Sequence, residues 1–85
     1  MSSLSRKSLI SKIRSGESLR GINLTDCDLS NANLYRVDLS GVDLSGSSLA
    51  DCNLRESSLR EANLSGCDLS RVDLRGSDVM RGDFS

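Results

Sequence analysis

A five-residue frame runs through this chain from residue 22 to residue 85 without a gap. Its central position holds Leu24, Leu29, Leu34, Leu39, Leu44, Leu49, Leu54, Leu59, Leu64, Leu69, Leu74, Val79 and Phe84. Two residues before each centre stands a mostly small side chain, among them Ala32, Val42, Ser47, Cys52, Ala62 and Gly82, and the residue between is Asn, Asp or Ser. A period of five is incompatible with the common regular structures. On an α-helix it advances the side chain by about 140°, which scatters the leucines over every face. On a strand, where the side-chain period is 2, an odd spacing alternates them between faces. Only a chain that turns once per block brings every central residue, and the small residue two before it, to one interior.

The corners of such a path are visible as residue types. Gly41, Gly46, Gly66 and Gly76, with Asp26, Asn31 and Asp51, fall at block ends, where unusual dihedrals are needed. The chain has no proline, in keeping with coils that pair N–H with C=O along their axis. With a single tyrosine, a single phenylalanine and no tryptophan in 85 residues, leucine must fill the core. The blocks SNANLYR (30 to 36), REANLSG (60 to 66), GCDLS (66 to 70) and GVDLS (41 to 45) resemble the A(D/N)LXX consensus of the pentapeptide-repeat proteins. That resemblance implies an all-β solenoid, a right-handed quadrilateral β-helix with four blocks per coil. Residues 22–85 then make about three coils, a body only about 15 Å long at the usual spacing of about 4.8 Å between paired strands.

Residues 1–21 are expected to form a capping helix and its lead-in. The helix is read over residues 5–15, with Ser5 as N-cap, Leu4 and Leu9 as a hydrophobic staple, Leu9, Ile10 and Ile13 on one side, and Gly16 as its stop. The same segment, basic and serine-rich, also reads as a targeting peptide, although it runs directly into the repeat. At the other end the frame runs to Ser85, and the face around Val79 and Phe84 is expected to be covered by a second copy, end to end, or by further sequence. No apolar run approaches the ~18 residues of a membrane span and no secretory signal is present, so a cytoplasmic, bacterial protein is expected.

Chemistry has little to stand on. The chain has no histidine, no GxSxG elbow and no phosphate-binding loop, so no enzyme and no cofactor is expected. Cys27, Cys52 and Cys67 all take the small inward position without metal-ligand spacing, and read as inert buried thiols. Arg81, Gly82 and Asp83 spell an adhesion tripeptide, but the repeat already demands a small residue at 82 and an acid or amide at 83.

Charge is more informative. Residues 1–20 carry five basic groups against Glu17, a balance of +4, and residues 21–85 carry eleven acids against six arginines, a balance of −5. Some members of the family imitate DNA and act on gyrase, but a body of this length would need roughly nine negative charges to match duplex DNA. Four blocks per coil place Tyr35, Arg55 and Arg75 in one outward column with Arg60 beside it, a candidate surface for an acidic protein partner. The alternative is a solvated face whose arginines pair with Glu56, Glu61 and nearby aspartates. The expected function is a non-catalytic interaction or structural module with an unidentified protein partner, the alternative being a topoisomerase-directed DNA mimic. Neither direct nucleic-acid binding nor membrane insertion is expected.

Overall fold

The computed structural model of the chain describes residues 6–16 and 18–85. Among them one helix, α1, spans Arg6–Arg14. Lys12 and Arg14 lie in its last turn, where cations meet the negative end of the helix dipole. Gly16, at φ 90°, then takes the chain out of the helix in a conformation that costs glycine little. Ile13 is buried, and Leu9 and Ile10 pack half-buried against the core. The expected staple and N-cap, Leu4 and Ser5, fall outside the described residues.

Beyond residue 18 the chain turns every five residues. In every block but that of Cys27 the amide two before the centre donates back to the preceding centre, as Val42 N does to Leu39 O (3.2 Å) and Cys52 N to Leu49 O (3.1 Å). Four such turns make one winding, here called a coil, and successive coils pair in parallel at a 20-residue register: Asn23 with Asp43, Asp43 with Asn63, and Asn63 with Asp83 on one side, with Asp28, Asn33 and Asp38 starting the other three. Each block with a coil after it makes three hydrogen bonds to that coil along the axis. In one block, Leu44 N donates to Asn63 O (2.8 Å), Gly46 N to Ser65 O (2.9 Å), and Val42 O accepts from Asn63 N (3.0 Å).

The expected all-β class is corrected by this pairing. Among the described residues there is no β-strand and no sheet, only α1 and isolated one-residue bridges between turns. The reason lies in the period that made the leucines legible. A turn consumes most of every five-residue block, so no stretch of extended chain is long enough to build a ladder, and a quadrilateral β-helix in the sense of four stacked sheets does not form.

The interior is a column of leucine. Leu29, Leu34, Leu39, Leu44, Leu49, Leu54 and Leu59 are wholly sealed, with Val42, Cys52, Ala62 and the serines Ser47 and Ser57 filling the corners between them. The last coil is more open: Leu69 and Leu74 are partly buried, and Val79 and Phe84 are exposed. The molecule measures 32 × 24 × 23 Å.

Two side-chain devices hold the turns. The first is the Asn or Asp before every centre except Leu49 and Leu59, whose Oδ1 accepts the amide two residues on, as Asp43 does from Ser45 N (3.0 Å) and Asn53 from Arg55 N (3.1 Å). Where that second residue is serine its hydroxyl donates to the same carboxylate, and these bonds lower the carboxyl groups of Asp28, Asp38, Asp43, Asp68 and Asp83. The second device sits at the corners. Asp26, Asn31 and Asp51 have positive φ as their residue types suggest, and so do Arg36, Glu56, Glu61, Arg71 and Arg81, whose types give no such signal. The charged corners stack one coil apart as opposite charges: Arg36 on Glu56 (3.0 Å), Arg71 on Asp51 (2.7 Å) and Arg81 on Glu61 (3.0 Å).

Candidate interaction surface

The 20-residue register decides which outward residues share a face. Bridges from Asn33 to Asn53 and from Asn53 to Asp73 set Tyr35, Arg55 and Arg75 above one another, two residues further along each block. The bridges from Asp38 to Ser58 and from Ser58 to Asp78 place Ser40, Arg60 and Met80 on the next side. Tyr35, Arg55, Arg60 and Arg75 are all exposed.

Their partners differ. Arg75 forks onto the carboxylate of its own block, with Nε 2.9 Å from Asp73 Oδ1 and Nη2 2.7 Å from Oδ2, and this pair holds the Asp73 carboxyl down at about 2. Arg60 reaches Asp78 Oδ2 at 3.2 Å and Met80 Sδ at 3.7 Å. A fourth guanidinium joins from the corner, where Arg36 Cζ lies 5.5 Å from the Tyr35 ring centroid while its Nε pairs with Glu56. Arg55 sits between Tyr35 and Arg75 in the column and, among the described residues, forms no ion pair; its charge acts on Asp73 at longer range. Sequence reasoning missed Arg36, because its place at a corner carries no residue-type signal; only its spacing of one from Tyr35 could have found it.

The other chemical candidates are structural. Burial pushes all three thiols up, and each donates to a backbone carbonyl: Cys27 to Thr25, Cys52 to Leu29 and Cys67 to Leu44. Among the described residues no group of carboxylates and thiols could hold a metal ion, and no helix is long and apolar enough to cross a membrane. Ser47 does unexpected work. Its Oγ accepts from Cys27 N (2.9 Å) and donates to Leu24 O (2.6 Å), so a hydroxyl from the next coil stands in for the turn bond that other blocks make directly.

Comparison with known proteins agrees with this geometry. Residues 18–46, 38–76 and 47–85 match the family described as Pentapeptide repeats, in eight copies. A pentapeptide-repeat protein from the Arabidopsis thaliana thylakoid lumen superposes with a TM-score of 0.64 at 23% identity, over 88% of this chain and 70% of that one, a likeness of fold. HetL, a pentapeptide-repeat protein involved in heterocyst differentiation regulation in the cyanobacterium Nostoc, superposes with a TM-score of 0.62 at 31% identity over 99% of this chain. The present chain spans 38% of the length of HetL. No curated protein matches the sequence. The expected cytoplasmic location is corrected by the first of these likenesses. A fold of this kind occurs in a thylakoid lumen, and nothing in a leucine-filled coil ties it to the cytoplasm. A gapless five-residue frame, a 20-residue register and a match covering residues 18–85 make this chain a member of the pentapeptide-repeat family.

Proposed function

We propose that the chain is a non-catalytic interaction module whose contact surface is the column of Tyr35, Arg55 and Arg75 with Arg60 beside it, and whose partner is a protein presenting acidic groups. The observation that carries this reading is Arg55. Its guanidinium projects from a closed coil, has no carboxylate of its own among the described residues, and lies in the same column as an exposed aromatic ring and a second guanidinium. Tyrosine and arginine together are the residues that most often concentrate binding energy, because a ring supplies area at low entropy and a fork supplies directed donors. The coil sets their backbones about 4.8 Å apart, so that only the side chains have to be ordered at the moment of binding. The relation to HetL, a protein involved in a regulatory process, supports a role in recognition.

The acidic body suggests a topoisomerase-directed DNA mimic as the alternative. The carboxylates of Asp51, Glu56, Glu61, Asp73 and Asp78 are each engaged by an arginine, which reduces the negative field such a mimic needs. Excess protein is expected to leave gyrase supercoiling unchanged.

The test compares proteins captured from the source cell by the native chain, by R55E/R75E, and by a control carrying S45E/S65E on another side. A partner retained by the control and lost on reversal of the arginines supports the proposal. Capture of the same proteins by all three chains overturns it.

A further inference from the structure

We propose that Asp73 sets the selectivity of the arginine column: it holds Arg75 within its own block and leaves Arg55 as the guanidinium that a partner's carboxylate takes. The inference rests on the reading of this column as a contact surface and names the residue that tunes it.

The chain carries its own controlled comparison. On this side of the stack the residue before the centre is Asn33, Asn53 and Asp73 in successive coils. All three make the same turn bond, their Oδ1 accepting the amides of Tyr35 (3.2 Å), Arg55 (3.1 Å) and Arg75 (3.2 Å). The backbone is therefore held alike in the three blocks, and what differs is the second polar atom of the side chain. Asn53 has a neutral amide there, and its Nδ2 donates to Asn33 Oδ1 one coil earlier (3.3 Å). Asp73 has a second carboxylate oxygen, and Arg75 takes both, with Nε on Oδ1 at 2.9 Å and Nη2 on Oδ2 at 2.7 Å.

This difference decides what each arginine can offer. A guanidinium forked onto a carboxylate has committed two directed donors and its charge, so an incoming acid must break that pair to gain an equal one. At Arg55 nothing has to be broken, because among the described residues it has no carboxylate, while the exposed Tyr35 ring and Arg75 lie one coil to either side. The other guanidiniums of the surface are engaged as well, Arg60 by Asp78 (3.2 Å) and Arg36 by Glu56 (3.0 Å). The fork at Arg75 also shows the chemistry that suits the open position, a planar carboxylate meeting Nε and Nη2 together, which is what a glutamate or aspartate side chain supplies. Because the Arg75 pair is exposed to solvent, its hold is worth about two- to five-fold in affinity.

Titration of the 85-residue chain with a hexaglutamate peptide, followed by NMR through the arginine Nε–Hε resonances, tests the inference. In the native chain the Arg55 resonance is expected to move and that of Arg75 to stay. In D73N both should move, and the peptide should bind about two- to five-fold more tightly. N53D should weaken binding by a similar factor, whereas D43N and N63D, which make the same charge changes on another side, should bind close to native. Asn and Asp both make the turn at this position, so the circular dichroism of these variants should be native, and D73N alone suffices should N53D fail to fold. An Arg75 resonance that moves with Arg55 in the native chain overturns the inference while leaving the contact surface intact, as does a D73N chain that binds no more tightly than D43N. An Arg55 resonance that responds in none of the chains overturns the contact surface itself, and this inference with it.

Discussion

Arg6, the first residue of α1, donates through Nη1 to the carbonyl of Asp28 at 2.9 Å and so joins the helix to the second side of the first coil. Its other Nη donates to Ser30 O, two residues on. A planar fork directs two separate nitrogens at the two carbonyls, which the single nitrogen of a lysine cannot do. R6A and R6K are therefore both expected to lower stability, by about 1 kcal/mol because the contact is exposed to water. The urea midpoint measures the loss, and a fully native midpoint in R6K would show that charge alone serves.

Ser47 and Ser57 are both buried serines at the same repeat position, yet they have different work. Ser47 Oγ bridges Cys27 N and Leu24 O, and its removal leaves both backbone groups without that partner. Ser57 Oγ donates only to Leu54 O, which already accepts Ser57 N. S47A should cost about 1–3 kcal/mol, the penalty for orphaned buried groups, and S57A well under 1 kcal/mol. Chemical denaturation of the two variants side by side checks the order.

The acid limb of stability follows from the depressed carboxyl groups. Asp73 is held at about 2 by the Arg75 fork, against an ordinary value of 3.8, so its ionised form favours the folded state. That contribution is fully present above the ordinary value and is lost as pH falls through about 2, and Asp28, Asp38, Asp43, Asp68 and Asp83 act in the same direction. The thermal midpoint should therefore drop steeply below about pH 4. D73N keeps the turn, as Asn33 and Asn53 do at equivalent positions, and should flatten part of this slope. An unchanged slope would contradict the assignment.

Leucines at the same frame position should differ in value along the stack. Leu44 is sealed from solvent and Leu74 is only partly buried. L44A is expected to cost about 3–5 kcal/mol and L74A about 1–2 kcal/mol by equilibrium unfolding.

The inward column was legible because burial depends on period: Leu29, Leu44 and Leu59 are interior for the same reason that they recur every fifth residue. Glycine, Asn and Asp marked some corners through their tolerance of positive φ. Arg36, Glu56, Glu61, Arg71 and Arg81 gave no mark, since what supports them is a partner 20 residues away and not a local preference. The absence of strands among the described residues was hidden for a similar reason. The period showed that the chain turns, but not how much of each block the turn would consume. Tyr35, Arg55 and Arg75 could be stacked from the sequence once the coil was taken as four blocks; that Arg55, unlike Arg75, lacks a carboxylate among the described residues, and that Arg36 comes to the ring, depended on side-chain positions.

The central claim is the 20-residue register, and couplings across hydrogen bonds test it directly by NMR. The amide of Leu44 should couple to the carbonyl carbon of Asn63, and that of Gly46 to Ser65. Coupling of these amides to carbonyls four residues earlier, or to none, would contradict the account.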